Sequence, residues 1–209
     1  MKTAVESMAD LLHRLGDIPP ERVRMKPLPG TAKIKDVIDI EAHENRLFEL
    51  VEGVLVEKAM GSRESVLAGA IIEYLRQYAK PQRLGIVMAP DGMMEILGGM
   101  VRMPDVAYIS RARLPGGKVP KDAVPRLAPD LAVEIISRGN TKAEMTRKRS
   151  EYFKAGVRIV WEVDQRSRTV TVYTSPNRHK VLNEDQVLDG GTVLPGFSLK
   201  LKDLFAELE

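Results

Sequence analysis

A chain of 209 residues, 44% hydrophobic and 29% charged, has the composition of an ordinary globular protein and is long enough for a substantial core. Without a cysteine it can form neither a disulfide nor a thiolate metal centre. Its 32 basic and 29 acidic residues leave a formal charge of +3, too mild by itself to mark a nucleic-acid binder.

Residues 1–30 are charged throughout and contain no apolar leader. No segment approaches the roughly 18 apolar residues of a membrane span. A cytoplasmic protein is expected. Val5, Met8, Leu11, Leu12 and Leu15 recur at helical spacing, so Met1–Leu15 reads as a short amphipathic helix ended by Gly16. The next stretch, "DIPPERVRMKPLPGT", carries four prolines and reads as an irregular connector. These features divide the chain into an N-terminal helix and connector, residues 1–32, and one domain, residues 33–209.

"ENRLFELVEGVLVEK" alternates as a hairpin turning at Glu52-Gly53. In "SRESVLAGAIIEYLRQYAK" the apolar positions fit a helix, with Ser62 as its cap and Pro81 at its end. "GIVMAPDGMMEIL" and "MVRMPDVAYIS" read as two strands joined at Gly98-Gly99. A Pro- and Gly-rich loop leads to "DLAVEIIS", whose even apolarity suggests a central strand. Thr141 and Glu144 form a capping-box pattern for the next helix, which Gly156 ends. "VRIVWEVD" and "RTVTVYTS" form a further hairpin, and the C-terminus gives a short strand and a helical turn or two. A strand, helix and strand over Leu131–Val163 suggests a parallel crossover. The order is that of an α/β domain with a mixed sheet.

Two strands hold a misplaced acid. Asp105 shares a face with Met103, Ala107 and Ile109, and Glu134 shares one with Ala132 and Ile136. On neighbouring strands the carboxylates would converge, and a cation between them would offset their repulsion. A hard divalent ion suits oxygen ligands and can activate a water against a phosphoryl group. The alternative is that each acid reaches solvent or pairs with an arginine. Lys148 lies on the helical stripe of Met145, Tyr152 and Ala155, so its amine can face the sheet or snorkel past it. Arg147 and Arg149 flank it and are expected to face water. Glu49 and Glu64 are further acids for the same cluster. His13, His43 and His179 read as surface residues.

"FELVEGVLVEK", "VRMPDVAYIS", "APDLAVEIIS" and "KRSEYFKAGVRIVWEVD" together resemble, in order, the motifs of the Uma-type family of bacterial restriction endonucleases, within the PD-(D/E)XK nuclease superfamily. The resemblance runs from about Glu44 to the C-terminus. It implies a restriction-endonuclease-like core, a central mixed β-sheet flanked by helices, and Mg²⁺-dependent hydrolysis of DNA, with Mn²⁺ as the alternative metal. By position it assigns Asp105, Glu134 and Glu49 to the metal and Lys148 to catalysis. The superfamily lysine two residues after the second acid is replaced by Ile136, which points to Lys148 as the source of the amine. The histidine that many members carry near the first core helix is replaced by Ser65.

The expected activity is endonucleolytic hydrolysis by a metal-activated water, with Lys148 orienting the water or stabilising the transition state. Two basic groups offer a track for a phosphate backbone: Arg138 to Arg158 along the second helix, and Arg111 to Arg126 in the loop. A solvated helix face with interleaved acids explains the first group equally well. Cutting both strands needs two sites, which suggests a homodimer. The rival readings are a non-catalytic nucleic-acid-binding or regulatory protein keeping the fold, a hydrolase of another phosphoester, and an oligomerisation module pairing through strands such as Thr169–Tyr173.

Overall fold

The computed structural model describes residues 6–58 and 61–209, so the predicted start of the first helix, residues 1–5, lies outside it. That helix, α1, spans Met8–Arg14 and is capped by the Ser7 hydroxyl, which accepts the Asp10 N–H. Gly16 follows with φ 94°, and a Cβ there would fall 2.5 Å from the backbone nitrogen of Glu144. The connector is more ordered than its prolines suggest. It holds a 3₁₀ turn, Pro20–Arg22, and a short strand β1, Val23–Arg24. α2 (Ile34–Glu44) occupies a stretch to which the sequence reading assigns no element, and it buries only Val37 and Ile40.

β2 (Phe48–Val51) and β3 (Val54–Glu57) form the expected hairpin, with Val51 opposite Val54. Both turn residues adopt left-handed backbone, φ 51° at Glu52 and 77° at Gly53, as a tight two-residue turn requires. α3 (Ser62–Ala79) follows, with Leu67, Ala68, Ile71, Leu75 and Ala79 buried along one face. Its cap is Gly61, and Ser62 is its first residue, one position later in the helix than predicted.

The two strands expected on either side of Gly98-Gly99 are each broken in two. β4 (Gly85–Met88) and β7 (Val106–Ser110) pair in one sheet, while β5 (Met94–Leu97) and β6 (Met100–Arg102) pair in another. The hairpin turn at Gly98-Gly99 forms, but the chain passes between the sheets at 89–93 and again at 103–105. The breaks fall at Pro90 and Pro104, which lack the N–H a continuing ladder needs.

β8 (Leu131–Ile135), α4 (Lys142–Lys154) and β9 (Ile159–Asp164) make the crossover, and β8 and β9 run parallel. Thr141 caps α4 by accepting the Glu144 N–H, but the Glu144 carboxylate turns away to Arg22, so only half of the capping box forms. β10 (Thr169–Tyr173) returns from β9, and β11 (His179–Asn183) pairs with it in turn. β10 is therefore an interior strand, which removes it as an edge for pairing between subunits. β12 (Val187–Gly190), β13 (Leu194–Lys200) and α5 (Leu201–Ala206) complete the chain.

The central sheet is mixed and six-stranded, in the order β11-β10-β9-β8-β7-β4, and helices flank it. A five-stranded sheet, β1-β3-β2-β6-β5, stands beside it. On one face of the central sheet Val133, Ile135, Trp161 and Val163 pack with Leu67 and Ile71 of α3 and Phe205 of α5. On the other, Ala107, Ala132 and Val160 pack with Tyr152 of α4. This second face, where α4 and the seam between the sheets meet, holds the acids.

Candidate active site

Pro104 ends the ladder of β6 and leaves the backbone of Met103 in the seam between the sheets. Buried backbone groups need partners, and here side chains supply them. Glu49 Oε1 of β2 accepts the Met103 N–H at 3.1 Å, and the Lys58 ammonium donates to the Met103 carbonyl. Asp105 follows, immediately before β7. Its N–H donates to the Val133 carbonyl, and its Oδ2 accepts the Ile135 N–H at 2.7 Å. The antiparallel register pairs Val106 with Val133, and one further step sets Asp105 opposite Glu134.

The acids that the sequence singles out on separate strands thus meet. Lys148 Nζ lies 2.8 Å from Glu134 Oε2 and 3.3 Å from Glu49 Oε1. The Tyr152 hydroxyl donates to the other Glu134 oxygen. Lys58 Nζ lies 2.8 Å from Asp105 Oδ1. Arg102 bridges Glu49, at 2.6 Å, to Glu151. Glu49, Asp105, Glu134 and Lys148 are only 1%, 6%, 4% and 5% exposed.

Burial pushes the Glu49 carboxyl up, but the charges of Lys148 and Arg102 outweigh it and hold the group at about 2. Glu134 goes the other way. Burial raises it, Asp105 and Glu49 add to the rise, and the opposing charges of Lys148 and Lys58 do not reverse it. Burial would strip the proton from Lys148, but the charges of Glu134 and Glu49 keep it on. Burial also raises the Tyr152 phenol, with Glu134 and Glu49 adding to it, so the hydroxyl stays a donor.

Glu64 is placed apart. It is buried at the start of α3 and accepts from Gln165, on the wall of a cleft of about 770 Å³. Lys58 also lines that cleft, and Arg63, Arg138 and Arg166 stand exposed around it. The cleft therefore reaches the acid cluster through Lys58.

The expected basic track along α4 is largely consumed by ion pairs. Arg147 bonds Glu151 at 2.7 Å, and Arg149 bonds Glu162 at 2.6 Å while lying over the Tyr173 ring. Neither faces open water, contrary to expectation, because interleaved acids on α4 and β9 neutralise them. Arg113 and Arg158 turn to Asp130. His13, His43 and His179 are exposed, as read from the sequence.

Sequence reasoning missed Lys58, Arg102 and Glu151. Arg102 stands three residues before Asp105 in a strand of alternating character, where a charge normally signals a solvent face. The one available sign was the even apolarity of "FELV", which implies burial on both faces of β2 and hence cations around Glu49.

Hard oxygen donors on rigid strands fit a divalent cation in chemistry. Each donor oxygen is, however, already engaged by a protein N–H, O–H or ammonium group. Among the described residues no group of three or more His, Cys, Asp or Glu side chains is arranged to hold a metal.

Comparison with known proteins adds an independent line. A solved structure of a putative nuclease belonging to DUF820 from Anabaena variabilis has a TM-score of 0.70 to this chain, at 22% identity, covering 79% of this chain and 93% of that one. At that identity the likeness establishes a shared fold. No curated protein matches. The family model for Uma2, described as putative restriction endonuclease, matches residues 34–202, a span that includes Glu49, Lys58, Asp105, Glu134 and Lys148. With most of its length matched by that model, the chain belongs to the Uma2 family of putative restriction endonucleases.

Proposed function

We propose that the protein is a Mg²⁺-dependent endodeoxyribonuclease that hydrolyses phosphodiester bonds with an activated water, acting in the cytoplasm. The observation that carries this reading is the approach of Glu49 and Glu134 to the Lys148 amine, with Asp105 opposite Glu134 and bonded to Lys58, on rigid strands next to a cleft with an arginine rim. Asp105 and Glu134 would hold the cation, with Glu49 as the third donor, and Mn²⁺ would serve in its place. When bound, the ion would polarise the phosphoryl group and acidify the attacking water.

The chain's own groups have distinct tasks. Lys148 keeps its proton, so it stabilises negative charge on the phosphoryl oxygens rather than acting as a base. Glu134 would be held in position as a metal ligand by two side chains. Tyr152 and Lys148 fix its two oxygens. Arg63, Arg138 and Arg166 would lie along the phosphate backbone and position it. Cutting both strands of a duplex would need two such sites, hence a homodimer.

A plasmid-nicking assay tests the reading. Wild type should nick only with Mg²⁺ or Mn²⁺ present, and Asp105→Ala and Glu134→Ala should abolish nicking while keeping a folded circular-dichroism spectrum. Equal cleavage by these variants overturns it. A second reading has its own support: every carboxylate oxygen of the cluster already has a protein partner. That arrangement suits a non-catalytic nucleic-acid-binding protein that keeps the fold. Such a protein would bind DNA with the same affinity with and without the metal and would nick under neither condition.

A further inference from the structure

Lys58 stands one residue beyond the end of β3, at the boundary between the cleft and the acid cluster. Its side chain is 7% exposed. Its ammonium touches Asp105 Oδ1 and the Met103 carbonyl, and its charge also acts on Glu49 and Glu134. Lys148 answers Glu49 and Glu134, and Arg102 answers Glu49, but neither lines the cleft. Asp105 has one oxygen committed to the Ile135 N–H, so Oδ1 is the oxygen it can offer a cation, and Lys58 holds it.

We propose that Lys58 is an exchangeable counterion: it holds the Asp105 carboxylate while no divalent cation is bound and gives up Oδ1 when one enters from the cleft. The inference rests on the metal-dependent reading of this site. A buried carboxylate without a partner is strongly unfavourable, so a site that must stay open to a cation needs a placeholder that can leave. An ammonium on a flexible four-carbon stem can do this, whereas the planar fork of an arginine is made to stay. The route out is the cleft that Lys58 already lines. There its charge would meet the arriving phosphate backbone, so cation entry and substrate contact would use the same amine.

Full-length wild type, Lys58→Met, Asp105→Asn and the double variant are compared by thermal melting with and without MgCl₂, and by calorimetric titration with Mg²⁺. Lys58→Met keeps the apolar stem and removes the charge. It should melt on the order of 10 °C below wild type without the ion. Mg²⁺ should restore most of that loss and bind about tenfold more tightly than to wild type. Asp105→Asn should lose the response to Mg²⁺. The double variant should melt near wild type and likewise ignore the ion. If Lys58→Met folds only when Mg²⁺ is present, the proposal stands in stronger form, and failure to fold in either condition overturns it. If wild type binds Mg²⁺ and Lys58→Met binds it no more tightly, the counterion role is wrong and the metal reading survives. If none of the proteins binds Mg²⁺, both fall.

Discussion

The chain contains two buried Pro-Asp pairs, Pro104-Asp105 and Pro129-Asp130, at opposite ends of the β7–β8 ladder. Their backbone roles are nearly the same. The Asp105 N–H donates to Val133 and its Oδ2 accepts from Ile135; the Asp130 N–H donates to Tyr108 and its Oδ2 accepts from Ser110. Each aspartate thus closes the far end of the other's strand. What differs is the company. Asp130 is answered by two arginines, Arg113 at 3.1 Å and Arg158 at 3.9 Å, both of which also hold loop carbonyls. Asp105 faces Glu134 across the ladder, bonds one lysine and lies beside a cleft. The same dipeptide in the same local geometry builds a clamp at one end and a candidate catalytic centre at the other. The motif supplies a rigid carboxylate, and the neighbours decide its use.

The sharpest way to break this comparison is to truncate both aspartates. Asp105→Ala should abolish nicking. Asp130→Ala should leave nicking per folded molecule unchanged while lowering stability by roughly 1–3 kcal/mol, because the Ser110 N–H and the half-buried Arg113 lose their partner. Equal loss of nicking in both variants, measured after correction for the folded fraction, would show that the two ends are not functionally distinct.

Lys148→Met comes next. Nicking should fall about 100- to 1000-fold, the usual effect of losing one preorganised charge donor. Stability should fall by about 3–5 kcal/mol, since Glu134 and Glu49 are left buried without it. Adding Glu134→Gln should recover stability in a denaturant titration without recovering nicking. Recovery of both would place Lys148 in a purely structural role, like Arg113.

The acid limb of the stability curve tests the electrostatics. The Glu49 carboxyl sits at about 2 in the folded protein, below its ordinary 4.5, so folding favours its ionised form. That stabilisation, on the order of 3 kcal/mol, is present above pH 4.5 and is lost as the pH falls towards 2. Glu134 has the opposite sign. Its raised value means that its ionised form weakens folding, and protonation on acidification relieves that cost. In urea unfolding, Glu49→Gln should therefore flatten the curve below pH 4.5, and Glu134→Gln should remove the gain in stability on acidification above pH 4.5.

The smallest effects are expected at the rim. Arg138→Ala or Arg166→Ala should weaken DNA binding a few-fold and reduce the salt dependence by about one ion each. Substitutions at Arg149, which the structure pairs with Glu162, should leave the salt dependence unchanged.

Much of this was legible in the sequence, for identifiable reasons. The β2–β3 turn follows from Glu52-Gly53, and the parallel crossover follows from the strand and helix periods. Lys148 could be placed because the helical repeat puts it in line with Met145 and Tyr152, and both are buried. The family motifs pointed to Pro104-Asp105, the pair that lies opposite Glu134. Lys58 and Arg102 were not legible, because a cation in or next to an alternating strand looks like one on a solvent face. Their burial depends on how two sheets meet. The basic run on α4 was only half legible: Glu151, which pairs with Arg147, lies on the same helix, but Glu162, which pairs with Arg149, comes from β9.

By itself, then, the sequence determined the β2–β3 hairpin, the β8–α4–β9 crossover and the helical face of the amine, because these depend on local periodicity and on residues a few positions apart. Tertiary structure decided that the halves of the two strands broken at Pro90 and Pro104 join different sheets. The seam they create draws Glu49, Asp105, Glu134, Lys148, Lys58 and Arg102 into one desolvated cluster. The physical reason is that a charge is read against whatever surrounds it, and the surroundings of a buried charge come from parts of the chain that no local pattern connects.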